Sequence, residues 1–231
     1  MTDKKYELTD ETIEVDGHTL HRIRALRDFG NIKEGKLGGF IEKEDNLSHE
    51  GNCWVYGNAC VFEDAEVSEN AKVCGEAKVY GEAKVYERAS VLGRAKVYGE
   101  AEVFGNALIY RNAKVYDEAK VYDNTDVFDF AEVYGEAEVF GGADVYGNAK
   151  INNAIVLGEA EVYGDAQVLY NALVEGESGV FGNAVISGEA VISGCAKVCG
   201  DAKVTGKAKI SEGEISSGTI DGIEKKSIEL D

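Results

Sequence analysis

One hexad organises most of this chain. Ala77-Lys78-Val79-Tyr80-Gly81-Glu82 is a clean copy, and Ala95-Lys96-Val97-Tyr98-Gly99-Glu100 is another. The aliphatic position recurs every six residues from Val55 through Ile151, takes one five-residue step to Val156, and then runs on in sixes to Ile210. That makes seventeen hexads followed by ten. A fixed short period outranks every other sequence signal, because each repeat is one structural unit that buries its apolar face only against its neighbours. Inside the hexad, Ala-x-Val-x alternates small, polar, aliphatic, aromatic. Alternation with period two sends Ala and Val to one side of a short strand and Lys and Tyr to the other. Gly with the acid or Asn after it supplies a turn. Strand-turn units too short for a hairpin, repeated this regularly, describe an all-β, single-stranded parallel β-helix. Three hexads to a triangular coil give about nine coils, and at ~4.8 Å per rung a rod roughly 40 Å long.

Three segments follow from this: a non-repeating region 1–50, the β-helix 51–211 with its register break near 151–156, and a closing coil and tail over 212–231. In the first, Thr12-Ile13-Glu14-Val15, Asp16-Gly17 and His18-Thr19-Leu20 read as a β-hairpin on a type I′ turn. The first coil of a β-helix exposes an apolar end and unpaired backbone, so region 1–50 is expected to cap it. The last aliphatic steps, Ile215 and Ile220, are five apart, where the coil tightens or unwinds, and 225–231 is expected to be a frayed or capping tail. The five-residue step at Ile151 is expected to break the columns that stack at an eighteen-residue offset.

The net charge of −19 argues against direct nucleic-acid binding, where Lys and Arg on phosphates supply most of the affinity. It suits a basic protein partner or mimicry of a polyanion. No apolar run is long enough for a membrane span, and Met1-Thr2-Asp3-Lys4-Lys5 opens no signal peptide, so the expected location is the cytoplasm. Cys53 falls on an inward position, and Cys60, Cys74 and Cys199 on outward ones. None of the five cysteines has zinc-ligand spacing, so no metal is expected.

Arg24-Ala25-Leu26-Arg27-Asp28-Phe29-Gly30-Asn31-Ile32-Lys33, then Gly38-Gly39-Phe40, Asn46-Leu47-Ser48 and Gly51-Asn52-Cys53-Trp54-Val55-Tyr56 resemble the start of the YdcK-type hexapeptide-repeat proteins of bacteria and their phages. The resemblance implies a left-handed coil, side-by-side packing into a homotrimer, and acyl transfer from acetyl-CoA with a His as base. Fold does not dictate activity, however. The three histidines, at 18, 21 and 49, all precede the repeats, and His49 is the one catalytic candidate near the first coil. No insertion long enough for a coenzyme A cleft interrupts the coils. A non-catalytic reading therefore leads: an acidic binding rod, phage- or prophage-associated, with no cofactor and with a host protein as partner. Its binding surface is the file Tyr80, Tyr98, Tyr116 and Tyr134 beside the corner file Glu82, Glu100, Glu118 and Glu136. The acetyl-CoA-dependent acyltransferase is the alternative.

Overall fold

The computed structural model describes residues 4–222. Among them, three parallel sheets form the walls of a triangular rod. The first wall stacks strands centred on Ile41, Val61, Val79, Val97, Val115, Val133, Ile151, Val168, Ile186, Val204 and Ile220. The second, ten strands deep, runs from Trp54–Val55 to Glu214–Ile215, and the third, nine deep, from Glu66–Val67 to Lys209–Ile210. Successive strands visit the walls in rotation, each bonding to strands one coil away, as Val97 pairs with Val79 and Val115. This is a single-stranded, left-handed parallel β-helix with a small antiparallel N-terminal part. The second wall's ten rungs exceed the expected nine coils. The extra strands, Phe40–Ile41, Glu214–Ile215 and Thr219–Asp221, lie where hexad spacing fails but the ladder still finds partners. The expected tail at 225–231 lies outside the described residues.

The alternation sorts side chains as the hexad demands. The Ala and Val positions of the coils are fully buried and fill the prism, while Lys96 and Glu100 face solvent. Two inward Ala positions hold Thr125 and Ser178, whose hydroxyls are buried without a hydrogen-bond partner. Each corner needs one residue in the left-handed region. Glycine meets this at Gly99 (φ 71°), where a Cβ would sit 2.9 Å from the Asp117 backbone nitrogen. Acids take the same conformation at Glu63, Glu87 and Asp117. Their carboxylates then accept the corner N–H of the next coil, at Gly81, Gly105 and Gly135 (2.7, 3.0 and 3.2 Å), a donor the ladder leaves out.

The N-terminal end is closed by β1 (Tyr6–Val15), β2 (His18–Ala25) and β3 (Leu37–Ile41). Asp16 and Gly17 both have positive φ at the β1–β2 turn, the geometry a tight twisted hairpin requires. Tyr6, Phe29, Leu47 and Trp54 plug the open coil, and the Tyr6 hydroxyl donates to the carbonyls of Glu44 and Leu47. Lys5 is wholly buried there, its ammonium donating to the carbonyls of Glu50 and Cys53. The hairpin tip reaches down the first wall. Asp16 pairs with Lys78 at 2.9 Å, and His18 bonds Glu42 at 2.9 Å and packs on Phe62. As a result, Cys60 and Phe62 point outward and yet are buried, under Leu20 and Phe40.

The five-residue step does not break the columns. Tyr134 still pairs with Asn152, and Val139 with Val156, because the missing residue is taken from one corner and not from a strand. On the second wall the stacked rings of Tyr110, Phe128 and Tyr146 continue across it, with Tyr146 and Tyr163 at 4.8 Å and Phe181 beyond.

Candidate functional site

The first wall carries the face read from the sequence. Parallel pairing in register places Lys78, Lys96 and Lys114 in one line. One step along each strand, Phe62, Tyr80, Tyr98, Tyr116 and Tyr134 stack at 4.9–5.0 Å with interplanar angles of 2–8°. Only the ring edges meet solvent, so each of these tyrosines is half-buried and burial pushes its hydroxyl pKa up. Each ring covers the face of the next. Beyond the stack, Glu82, Glu100, Glu118 and Glu136 are fully solvent-facing at the corner between the first and third walls. The backbone N–H groups of the first three bond the coil above (2.7, 2.7 and 3.1 Å), and Glu136 has lost that partner. At Glu136 the shortened corner removes the acceptor, and the Asn153 side-chain oxygen replaces it at 2.8 Å.

The walls differ in charge. The third alternates Glu66, Lys84, Glu102, Lys120 and Glu138 along its ladder and neutralises itself. The second sets Asp126, Asp144 and Glu161 on adjacent rungs. Burial raises the pKa of both aspartates, with the neighbouring carboxylates adding to the shift at Asp144.

His49 lies away from all of these. Its Nδ1 accepts the Lys5 backbone N–H at 3.2 Å, its ring stacks on Tyr6 at 4.4 Å, and its Nε2 is buried 3.8 Å from Glu44. Nδ1 and the ring face are committed to the plug, Nε2 is buried without a hydrogen-bond partner, and burial lowers the pKa of the ring. A general base needs a nitrogen that an acceptor can reach, and neither nitrogen of His49 is open to one.

Two shallow grooves flank the first wall where the register steps. One, of about 440 Å³, runs along the corner with the second wall past Phe130, Glu132, Asn148, Lys150 and Gln167. The other, of about 170 Å³, lies at the opposite corner among Glu136, Glu138, Asn153 and Asn171. Beside them stand Phe130 and Tyr170, 62 % and 61 % exposed. Sequence reasoning passed over both. Their signal was available: each is an aromatic at a turn position the repeat otherwise gives to Gly, Asn, a charged residue or, once, Cys195.

Among the described residues, no group of His, Cys, Asp or Glu is placed to hold a metal ion, and no helix is long and apolar enough to cross a membrane. The coils and the hexad define a hexapeptide-repeat parallel β-helix, and the resemblance seen at the N-terminus has a counterpart in a relative whose name is that of an acetyltransferase. Part of the chain is similar to a protein of Escherichia coli (strain K12) named "Uncharacterized acetyltransferase YdcK", 38 % identical over 61 residues. The match spans 23 % of this chain and 19 % of that relative's length, so about a fifth of the relative is represented here. No family model matches the chain.

Proposed function

We propose that this protein is a non-catalytic, acidic binding rod that engages a basic protein partner through its first wall and the glutamate corner beside it. One observation carries the reading: four stacked tyrosines and four solvent-facing glutamates form a straight, rigid, two-component strip. Preorganised rings lose little conformational freedom on binding, and a line of carboxylates steers and selects a cationic surface. Besides the glutamates, the side chains left to order are the lysines, of which Lys78 and Lys114 are already held by Asp16 and Glu132. A phage or prophage setting, in which the partner is a host protein, suits such a rod. A cytoplasmic location and self-association into a homotrimer belong to the same reading.

The second reading, acyl transfer from acetyl-CoA, is favoured by the name of the relative. It needs a base other than His49. Light scattering and thermal unfolding with and without acetyl-CoA separate the two. A melting temperature and mass indifferent to acetyl-CoA support the binding rod, and tight stoichiometric binding overturns it. The partner is then sought in bacterial lysate with two baits, the intact chain and one with Glu82, Glu100, Glu118 and Glu136 changed to Gln. A basic protein held by the first and lost from the second is the expected result.

A further inference from the structure

A repeat protein carries its own control, because every turn position is seen in several coils that fold alike. At the turn position of Phe130, other coils place Asn112, Asn148 and Asn183, and at that of Tyr170 they place Gly99, Gly188 and Gly206, or an acid at Glu63 and Asp117. Neither ring is therefore needed to make a corner of the repeat, and the corner at Tyr170 differs from the others in that Asn171 also holds a positive φ, 64°. Tyr170 is worse than neutral for the fold: it holds φ at +55°, a region a bulky side chain enters only under strain. Strain kept for an exposed ring marks a ring that is used.

Neither ring stacks on another ring, although most aromatic side chains on the coil walls do. They stand at the two edges of the first wall, within the rungs Glu132–Tyr134, Lys150–Asn152 and Gln167–Leu169. Between and beside them the tyrosine file has ended, and Asn152 takes the next place. Along the axis they are separated by about two rungs, roughly 10 Å, and across the wall by an extended strand of roughly 16 Å, so a chain of about five sugars is needed to reach both.

The groups around them are of one chemical kind. The groove under Phe130 presents the carboxylates of Glu132 and Asp165 and the carboxamides of Asn148 and Gln167. The notch beside Tyr170 presents Glu136, Glu138, Asn153 and Asn171. Carboxylates accept from hydroxyls and carboxamides both give and accept, so the set matches vicinal hydroxyl groups. An exposed aromatic face matches the C–H face of a pyranose. Four carboxylates against Lys150 disfavour sugar acids and phosphates. Shallow polar grooves around isolated rings also differ from the dry, packed centre that a protein partner requires.

We propose that the register step builds a carbohydrate site: a neutral oligosaccharide crosses the first wall with one sugar ring on Phe130 and another on Tyr170. The site meets the tyrosine–glutamate strip only at Glu136, the last of its glutamates, and is tested apart from the rest of it.

The test uses the repeat's own residues as substitutions. Phe130→Asn and Tyr170→Gly each restore what neighbouring coils carry, so both variants fold, and Tyr170→Gly also relieves the strained φ. Maltopentaose, cellopentaose and chitopentaose are titrated into the intact chain, with saturation-transfer NMR and calorimetry as readouts. The expected result is binding of at least one pentasaccharide, weakened tenfold or more in each variant at unchanged or raised melting temperature. It is kept in a variant with Glu82 and Glu100 changed to Gln. Failure of all three sugars to bind the intact chain overturns the proposal, as does binding that both variants retain. A protein captured from lysate through Phe130 and Tyr170, with no sugar bound, overturns it as well.

Discussion

The stacked tyrosines can be weighed by comparing a ring inside the file with the ring at its end. Tyr116 has Tyr98 on one side at 4.9 Å and Tyr134 on the other at 5.0 Å. Tyr134 has Tyr116 on one side and Asn152 on the next rung. An aromatic pair is worth about 0.5–1.5 kcal/mol beyond the area it buries. Tyr116→Ser therefore forfeits two such terms, about 1–3 kcal/mol, and Tyr134→Ser one, about 0.5–1.5 kcal/mol. Both rings are half-buried on the same wall, so the transfer contribution largely cancels in the comparison. The expected difference is about 1 kcal/mol. Urea unfolding followed by circular dichroism measures it. Because coils interact with nearest neighbours, amide exchange at Tyr98 and Tyr116 gives the local counterpart. Equal losses from the two substitutions would refute the ladder account. So would loss of oligomer mass with an unchanged monomer, because the rings would then be an interface and not an internal brace.

Four further outcomes follow from particular positions. Val97→Asp puts an unpaired carboxylate into the sealed prism and should cost 4 kcal/mol or more, with denaturant titration giving much less if the coils can open to water at that rung. Thr125→Val keeps the volume and removes an orphaned hydroxyl, so the urea midpoint should rise by an amount worth about 1 kcal/mol; a fall would mean the hydroxyl has a partner in solution. Burial raises the Asp144 pKa, so its native state holds the proton more tightly than the unfolded chain: stability should grow as pH falls from neutral through that raised pKa, and Asp144→Asn should be more stable at pH 7 and lose this slope in pH-dependent unfolding. His18 is raised by its bond to Glu42, so its contribution to hairpin docking is complete below about pH 6.5 and lost as pH rises through the raised pKa; exchange of β2 amides should quicken there, and should not in His18→Gln.

Most of the fold was legible because the period is its own explanation. Ala and Val alternate with Lys and Tyr, so the inward file, the aromatic ladders and the corner glutamates could be assigned without coordinates. What escaped depended on contacts remote in sequence. Cys60 and Phe62 sit at outward positions, and only the docked hairpin, more than thirty residues earlier at its Leu20, buries them. The extra strands at Phe40–Ile41 and Thr219–Asp221 lie outside the hexad, since a ladder recruits any extended segment that arrives in register. The five-residue step suggested broken columns because spacing counts residues and not corners. Shortening one turn leaves the strands aligned, and the bill falls on a single N–H, that of Glu136, which Asn153 meets. His49 was the nearest histidine to the coils in sequence, and Lys5 and Tyr6 claim both its nitrogen and its ring face.

The same regularity decides where function should be sought. In an ordinary domain an exposed aromatic is unremarkable, since much of any protein surface is apolar. In this rod the comparison is sharper, because the turn that holds Phe130 is made elsewhere by Asn or a charged residue and the one that holds Tyr170 by Gly or an acid. Folding alone would favour the residues found in those other coils, and in the case of Tyr170 it would favour glycine by the strain of a left-handed φ. The tyrosine–glutamate strip lacks this property: its residues follow the repeat, so stability accounts for much of their presence. The two surfaces should therefore respond oppositely to repeat-restoring substitution. Moving Phe130 and Tyr170 toward the repeat should leave stability level or improve it while removing a function, whereas moving Tyr116 away from the repeat should reduce stability first. A chain in which Phe130→Asn and Tyr170→Gly together lower the melting temperature would show that the step needs its rings for folding, and the argument for a site there would fail.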